Sequence, residues 1–193
     1  MRKFRWMVCF ISLATQAQYF NSSAFQLYLG WAGYDTSASF LRPQPDPNEW
    51  PMTDQLQLGL GYQYALYQYS LWWFTQSAVS FGYARNYGLS QTQILPAVNA
   101  LTGLRWNFAS QNWRPFVQTG IGLVALFNNP NSSSDSSSPS KQAWMILELG
   151  PGLEWVFMNE MSFQIDLGAQ AFFDFHHATR FSYAGRFSYL FYF

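Results

Sequence analysis

The feature that most restricts what this chain can fold into is an alternation of period two, recurring from end to end in segments of about 10 to 15 residues. Successive side chains of an extended strand point to opposite faces, so each segment has two distinct faces. Phe25, Leu27, Leu29 and Trp31 alternate with Gln26, Tyr28, Gly30 and Ala32. Leu56, Leu58, Leu60, Tyr62 and Tyr64 alternate with Gln55, Gln57, Gly59, Gly61 and Gln63. The third segment, near 70–84, is the least regular: Trp73, Val79, Phe81 and Tyr83 oppose Trp72, Gln76, Ser80 and Gly82. Ile94, Val98, Leu104, Trp106 and Phe108 oppose Asn99, Gly103, Arg105 and Asn107, and Val117, Ile121 and Leu123 oppose Gln118, Gly120 and Gly122. Leu147, Leu149, Leu153, Trp155 and Phe157 face away from Glu148, Gly150, Gly152 and Glu154. Phe163, Ile165, Leu167, Phe173 and Phe175 oppose Gln164, Asp166, Gly168, Gln170 and Asp174. Phe181, Tyr183, Phe187, Tyr189, Phe191 and Phe193 oppose Ser182, Arg186 and Ser188. Eight strands are predicted.

Composition decides what surrounds them. Aromatic residues make up 21% of the chain and charged residues only 10%, whereas a soluble domain carries about 25% charge. Something other than water therefore covers much of the exterior. A helical membrane protein needs apolar runs of about 18 residues or more, and none occurs after the N-terminus; the mean hydropathy of −0.10 agrees. Hydrocarbon is crossed only by helices or by closed barrels, because each backbone amide must find a partner without water. The expected fold class is all-β: a transmembrane, antiparallel, up-and-down barrel of eight strands, forming one domain.

The N-terminus reads as a cleaved export signal. Arg2, Lys3 and Arg5 form a basic head and Trp6 to Ala14 a short apolar core, with the cut after Ala17 or as late as Ala24. The expected organisation is a signal peptide over 1–17 and a barrel over 18–193. The single cysteine, Cys9, falls inside the apolar core, which leaves the mature chain without a disulfide or a thiolate metal site. Losing the head removes three of ten basic residues and leaves ten acidic ones. A mildly acidic chain is a poor nucleic-acid ligand.

Connections near 66–70, 109–113 and 158–161 read as tight. Those at 35–53, 85–92, 128–141 and 176–180 read as longer and richer in Pro, Ser and Asn, as a membrane barrel with short turns at its periplasmic rim requires. The Ser-rich run Asn131–Ser140 is a solvated loop in composition. Ten of the thirteen glycines share the sparse polar face: Gly30, Gly59, Gly61, Gly82, Gly103, Gly120, Gly122, Gly150, Gly152 and Gly168. Glycine weakens a strand unless space is short, and an eight-stranded barrel is just wide enough for its side chains, so this face points inward. Outward aromatics gather beside the tight turns, at Tyr64, Trp73, Trp106, Phe108, Trp155, Phe157, Phe191 and Phe193, as an interfacial girdle does. Pro151 falls mid-segment on the outward face, where its missing amide suggests a bulge.

The chain closes on Phe187-Ser-Tyr189-Leu-Phe191-Tyr-Phe193. This resembles the C-terminal signal of bacterial outer-membrane proteins, which in that family is read by the barrel-assembly machinery. The run Arg114-Pro-Phe-Val-Gln-Thr-Gly-Ile-Gly122 is similar to the fifth strand of small OmpA-, OmpX- and OmpW-like barrels. The resemblance implies an outer-membrane location, an environment of outer-membrane lipid and lipopolysaccharide, a monomer, and an assembly role for Phe187, Tyr189, Phe191 and Phe193. No periplasmic peptidoglycan-binding domain follows the barrel pattern, so cell-wall anchoring of the OmpA kind is not expected.

Little here suggests enzyme chemistry or a cofactor. The Gly-x-Gly pairs open no helix, which a phosphate cradle needs. His176 and His177 lie in the predicted last outer loop. Outer-membrane lipid A deacylases carry a His-x-Ser pair followed by an acid, and His177-Ala-Thr179 matches that only in part. Two adjacent histidines fall short of the three or more ligands of a metal site. By parity the interior holds Arg105, Arg114, Glu148, Glu154, Asp166, Asp174 and Arg186. These form either selectivity charges of a channel or a paired network that plugs the lumen, and the plug is favoured because an unpaired buried ion costs roughly 3–5 kcal/mol. The leading expectation is a non-enzymatic envelope protein with a structural or surface-interaction role. A narrow conduit for small hydrophobic solutes comes second and a lipid A-modifying hydrolase third.

Overall fold

The computed structural model describes residues 22–34, 52–67, 70–86, 91–109, 112–127, 142–174 and 177–193. The signal segment 1–17, the Ser-rich run and His176 lie outside them. Eight strands follow in order: β1 Ser23–Tyr34, β2 Met52–Tyr67, β3 Leu71–Asn86, β4 Gln91–Asn107, β5 Trp113–Leu126, β6 Gln142–Met158, β7 Met161–Asp174 and β8 His177–Tyr192. Each pairs antiparallel with its sequence neighbours, and β1 pairs with β8, so the sheet closes into a barrel without free edges.

The alternation sorts the residues as a membrane barrel demands. Phe25, Leu27, Leu29, Leu56, Leu58 and Leu60 are exposed on the outer wall, while Gln26, Tyr28, Gln57 and Gln63 are buried inside. Inward side chains are accommodated by glycines directly across the ladder. Tyr28 pairs with Gly59 and lays its ring over it, and Phe116 does the same over Gly152. A Cβ at either glycine would meet the ring well inside contact distance, so these two glycines are places where a neighbour needs the room.

Ser22, Phe193 and the strand ends that the β2–β3, β4–β5 and β6–β7 connections join lie at one end of the barrel, the turn end. Backbone bonds there run from Ala65 N to Ser22 O (2.8 Å), Asn107 N to Ser70 O (2.7 Å), Val156 N to Asn112 O (2.7 Å), Tyr192 N to Glu160 O (2.8 Å) and Phe193 N to Ser23 O (2.9 Å). Together with the hairpin turns they carry the ladder around the rim and satisfy backbone groups that hydrocarbon could not. Outward rings cluster above this rim: Trp113 stacks on Trp155 at 5.6 Å, and Phe157, Phe163, Tyr189 and Phe191 continue the contact.

Two expectations differ from what is observed. At Pro151 there is no bulge. Pro151 pairs with Val117 in an unbroken β5 register, and the β6–β7 register is the same at Leu149↔Ala169 as at Gly152↔Asp166. The proline deletes ladder pairs toward β7 at 150 and 151 without shifting the strand; register shifts occur instead near strand ends, at Met52/Gln55, Ala65/Tyr67, Val156/Met158 and Phe172/Asp174. The third segment, the least regular in sequence, forms the strand expected of it, with every residue of Leu71–Asn86 paired to β4. The last outer connection is not 176–180 but two residues, because β8 begins at His177, opposite Asp174.

Candidate functional site

The charged residues of the lumen sit on β4 to β8 and meet at its waist. Glu154 on β6 lies opposite Arg114 of β5, with Arg114 Nη1 at 3.9 Å from its carboxylate. Arg105 of β4 donates to the other Glu154 oxygen, and the Tyr192 hydroxyl of β8 donates to the first. The rest of the Arg105 guanidinium is also engaged: Nε donates to Asn107 Oδ1 at 2.8 Å, and Nη1 to Gln63 Oε1 at 3.1 Å and Gln164 Oε1 at 2.7 Å. Its carbon stands 3.9 Å over the Phe116 ring, itself seated on Gly152.

A second group lies nearer the opposite, loop end. Arg186 of β8 pairs across the ladder with Asp166 of β7, donating from Nε at 2.7 Å. It also donates to both oxygens of Glu148 on β6, from Nη1 at 3.1 Å and from Nη2. Glu148 accepts further from Gln170 (2.6 Å) and Gln118 (3.2 Å), and Asp166 from Gln118 (3.1 Å) and Gln164 (3.0 Å).

The two groups are unbalanced in opposite senses. One holds two arginines and one acid, the other one arginine and two acids, so the six charges cancel only as a set. Gln164 joins the groups by accepting from Arg105 and donating to Asp166. Gln76 accepts from Arg186 at 3.2 Å and donates at 3.0 Å to Gln26, which also accepts from Gln63 and donates to Ser188. All six ions are at most 5% exposed. A network so deeply buried requires every member to have a partner.

Apolar side chains pack beside it and toward the loop end. At the turn end Ala24, Trp72, Leu190 and Tyr192 pack together with Ala65, the Trp72 and Tyr192 rings meeting edge to face at 5.8 Å. Toward the loop end, on β4 to β7, Ala97, Leu101, Val124, Ile146, Trp144 and Phe172 are buried, with Trp144 and Phe172 edge to face at 5.9 Å.

Of the seven lumen ions read from the sequence, six are thus brought together; Asp174 ends β7 opposite His177, with its side chain outside the described residues, as is that of His177. Sequence reasoning did not single out Gln76, Gln164 and Gln170 as connectors, nor Tyr192 as a partner of Glu154. Inward parity was the signal that marked them. It also missed the apolar inner face near the loop end. Phe187, Tyr189, Phe191 and Phe193 line the outer wall of β8, and Phe193 meets Tyr62 of β2 at 6.4 Å. Among the described residues no cluster of three or more His, Cys, Asp or Glu could hold a metal ion.

No known protein family matches the chain by sequence, and no curated protein does either. Solved structures do resemble it in shape. Neisserial surface protein A aligns over 91% of this chain and all of its own with a TM-score of 0.59 at 11% identity. The outer membrane protein OprG of Pseudomonas aeruginosa aligns over 90% of this chain and 95% of its own with a TM-score of 0.54 at 10% identity.

Proposed function

We infer that this chain, a closed eight-stranded barrel with the fold of the small outer-membrane proteins, is a non-enzymatic structural protein of the bacterial outer membrane whose lumen is plugged and whose long connections meet the outside. One observation carries the reading: the lumen waist is crossed by six buried ions, three of each sign, tied by glutamines on β1, β2, β3, β5 and β7. A continuous water path would have to separate Arg105 from Glu154 or Arg186 from its two acids. Breaking a buried pair costs about 3–5 kcal/mol, so open states would be rare. The apolar layer toward the loop end adds to the seal.

The outer wall supports the membrane location. Leucines at barrel mid-height and aromatics above the turn-end rim suit hydrocarbon and its interface respectively. On this reading lipid and lipopolysaccharide surround a monomer, and Phe187, Tyr189, Phe191 and Phe193 are the residues that the assembly machinery reads.

Recordings from the purified barrel in planar bilayers test the plug. Electrically silent membranes, or only brief irregular events, are expected. Steady openings of porin size would overturn it, and Glu154→Ala would then change their ion selectivity.

A further inference from the structure

β8 carries unusually little information about where it belongs along its neighbours. Its outward residues repeat Phe or Tyr at every second position, at Phe181, Tyr183, Phe187, Tyr189, Phe191 and Phe193, with only Gly185 interrupting. Sliding it by two residues therefore exchanges ring for ring on the lipid side while keeping each face where it was. A slide against β7 and β1 together also leaves the stagger of the whole barrel unchanged, so closure itself does not forbid it. The tight 175–176 connection resists a slide toward the turn end. A slide toward the loop end only lengthens that connection, placing Ile165 opposite Tyr189 instead of Phe187 and Asp166 opposite Ser188 instead of Arg186.

We propose that Arg186, inserted between Glu148 and Asp166, is the residue that fixes the register of β8 and hence the single way in which the barrel closes. In the observed register its guanidinium reaches both acids, one on the adjacent strand β7 and one on β6 beyond it. In the slid register Arg186 faces Gly168, which Glu148 covers, and Asp166 loses its arginine. Other inward groups on β8 distinguish the registers less. Ser182, Ala184 and Ser188 are small, and Ser188 accepts one neutral bond, from Gln26. Leu190, packed with Trp72, and Tyr192 on Glu154 act in the same sense as Arg186 but carry no charge.

Disulfide trapping on the lipid face reads the register directly. In the full chain with Cys9→Ser, the pair Ile165→Cys and Phe187→Cys reports the observed register, and Ile165→Cys with Tyr189→Cys reports the slid one. After folding into detergent and copper-phenanthroline oxidation, the first pair is expected to cross-link and the second hardly at all. Adding Arg186→Ala should raise the second yield at least fivefold at the expense of the first. If that background does not fold, the neutral set E148Q/D166N/R186Q is read in the same way. Cross-linking confined to the first pair, in whichever background folds, overturns the proposal. Failure of both backgrounds to fold overturns it too, since Arg186 would then be needed for stability and not for choosing a register.

Discussion

At the waist of the lumen Glu154, Arg105, Arg186 and their glutamine neighbours fill the interior with hydrogen-bonded ions, whereas toward the loop end Trp144, Phe172, Ile146, Val124 and Leu101 fill it with hydrocarbon. Both fillings bury their side chains inside the barrel. They differ in how they fail. An apolar layer loses stability in proportion to what is removed. An ionic layer is conditional on all its members, because each ion left behind is then buried without a counter-charge. On the plugged reading, the waist holds the interior in one arrangement and the apolar layer separates it from the loop side.

The largest effect expected from this contrast is at Glu154. Glu154→Leu leaves Arg105 and Arg114 facing each other without their acid, and should lower stability by about 3–5 kcal/mol. Denaturant unfolding in detergent micelles measures it, and a loss below about 1 kcal/mol would break the distinction between the layers. Phe172→Ala comes next. It removes the ring that Trp144 meets edge to face and should cost about 3 kcal/mol, but without creating ion conductance, since the waist stays intact. Conductance in that variant would move the seal from the waist to the apolar layer. The smallest effect belongs to the outer wall, where Leu149 is 60% exposed. Leu149→Ala should cost about 1–2 kcal/mol, the lost transfer of the side chain from water to lipid, with no cavity added because lipid fills the vacated space. A loss equal to that of Phe172→Ala would mean that the outer wall is packed as tightly as the lumen.

Much of this was legible before any coordinates. From Leu56 to Tyr64 the alternation alone assigns strand, faces and lipid side, because one face is polar and the other is not. The same parity places Arg186 and Asp166 inside, although it does not reveal that they stand opposite one another; that depends on a register which the repeating rings of β8 do not specify. Around Met145, Ile146 and Leu147 both faces are apolar, so composition there could not show that the inner face turns apolar toward the loop end. The alternation of β8 is legible only from Phe181 onward, because Ala178, Thr179 and Arg180 do not continue it. Strands that run past the hydrocarbon no longer need an apolar face, and β8 continues there without one. Pro151 misled for a different reason. The consequence of a missing amide depends on which neighbour it faces: β5 keeps its pairing and only the ladder toward β7 is interrupted, a distinction absent from a linear reading.

The seating of Tyr28 on Gly59 and of Phe116 on Gly152 has a consequence for descent. Neither partner can change alone: a side chain in place of the glycine collides with the ring, and a small residue in place of the ring opens a hole beside a buried charge network. Such couples are expected to be inherited together or exchanged in a single compensated event, while the lipid-facing residues around them drift with little restraint. Lineages of this barrel could then diverge far in sequence and still wind the same eight strands around an equally crowded interior.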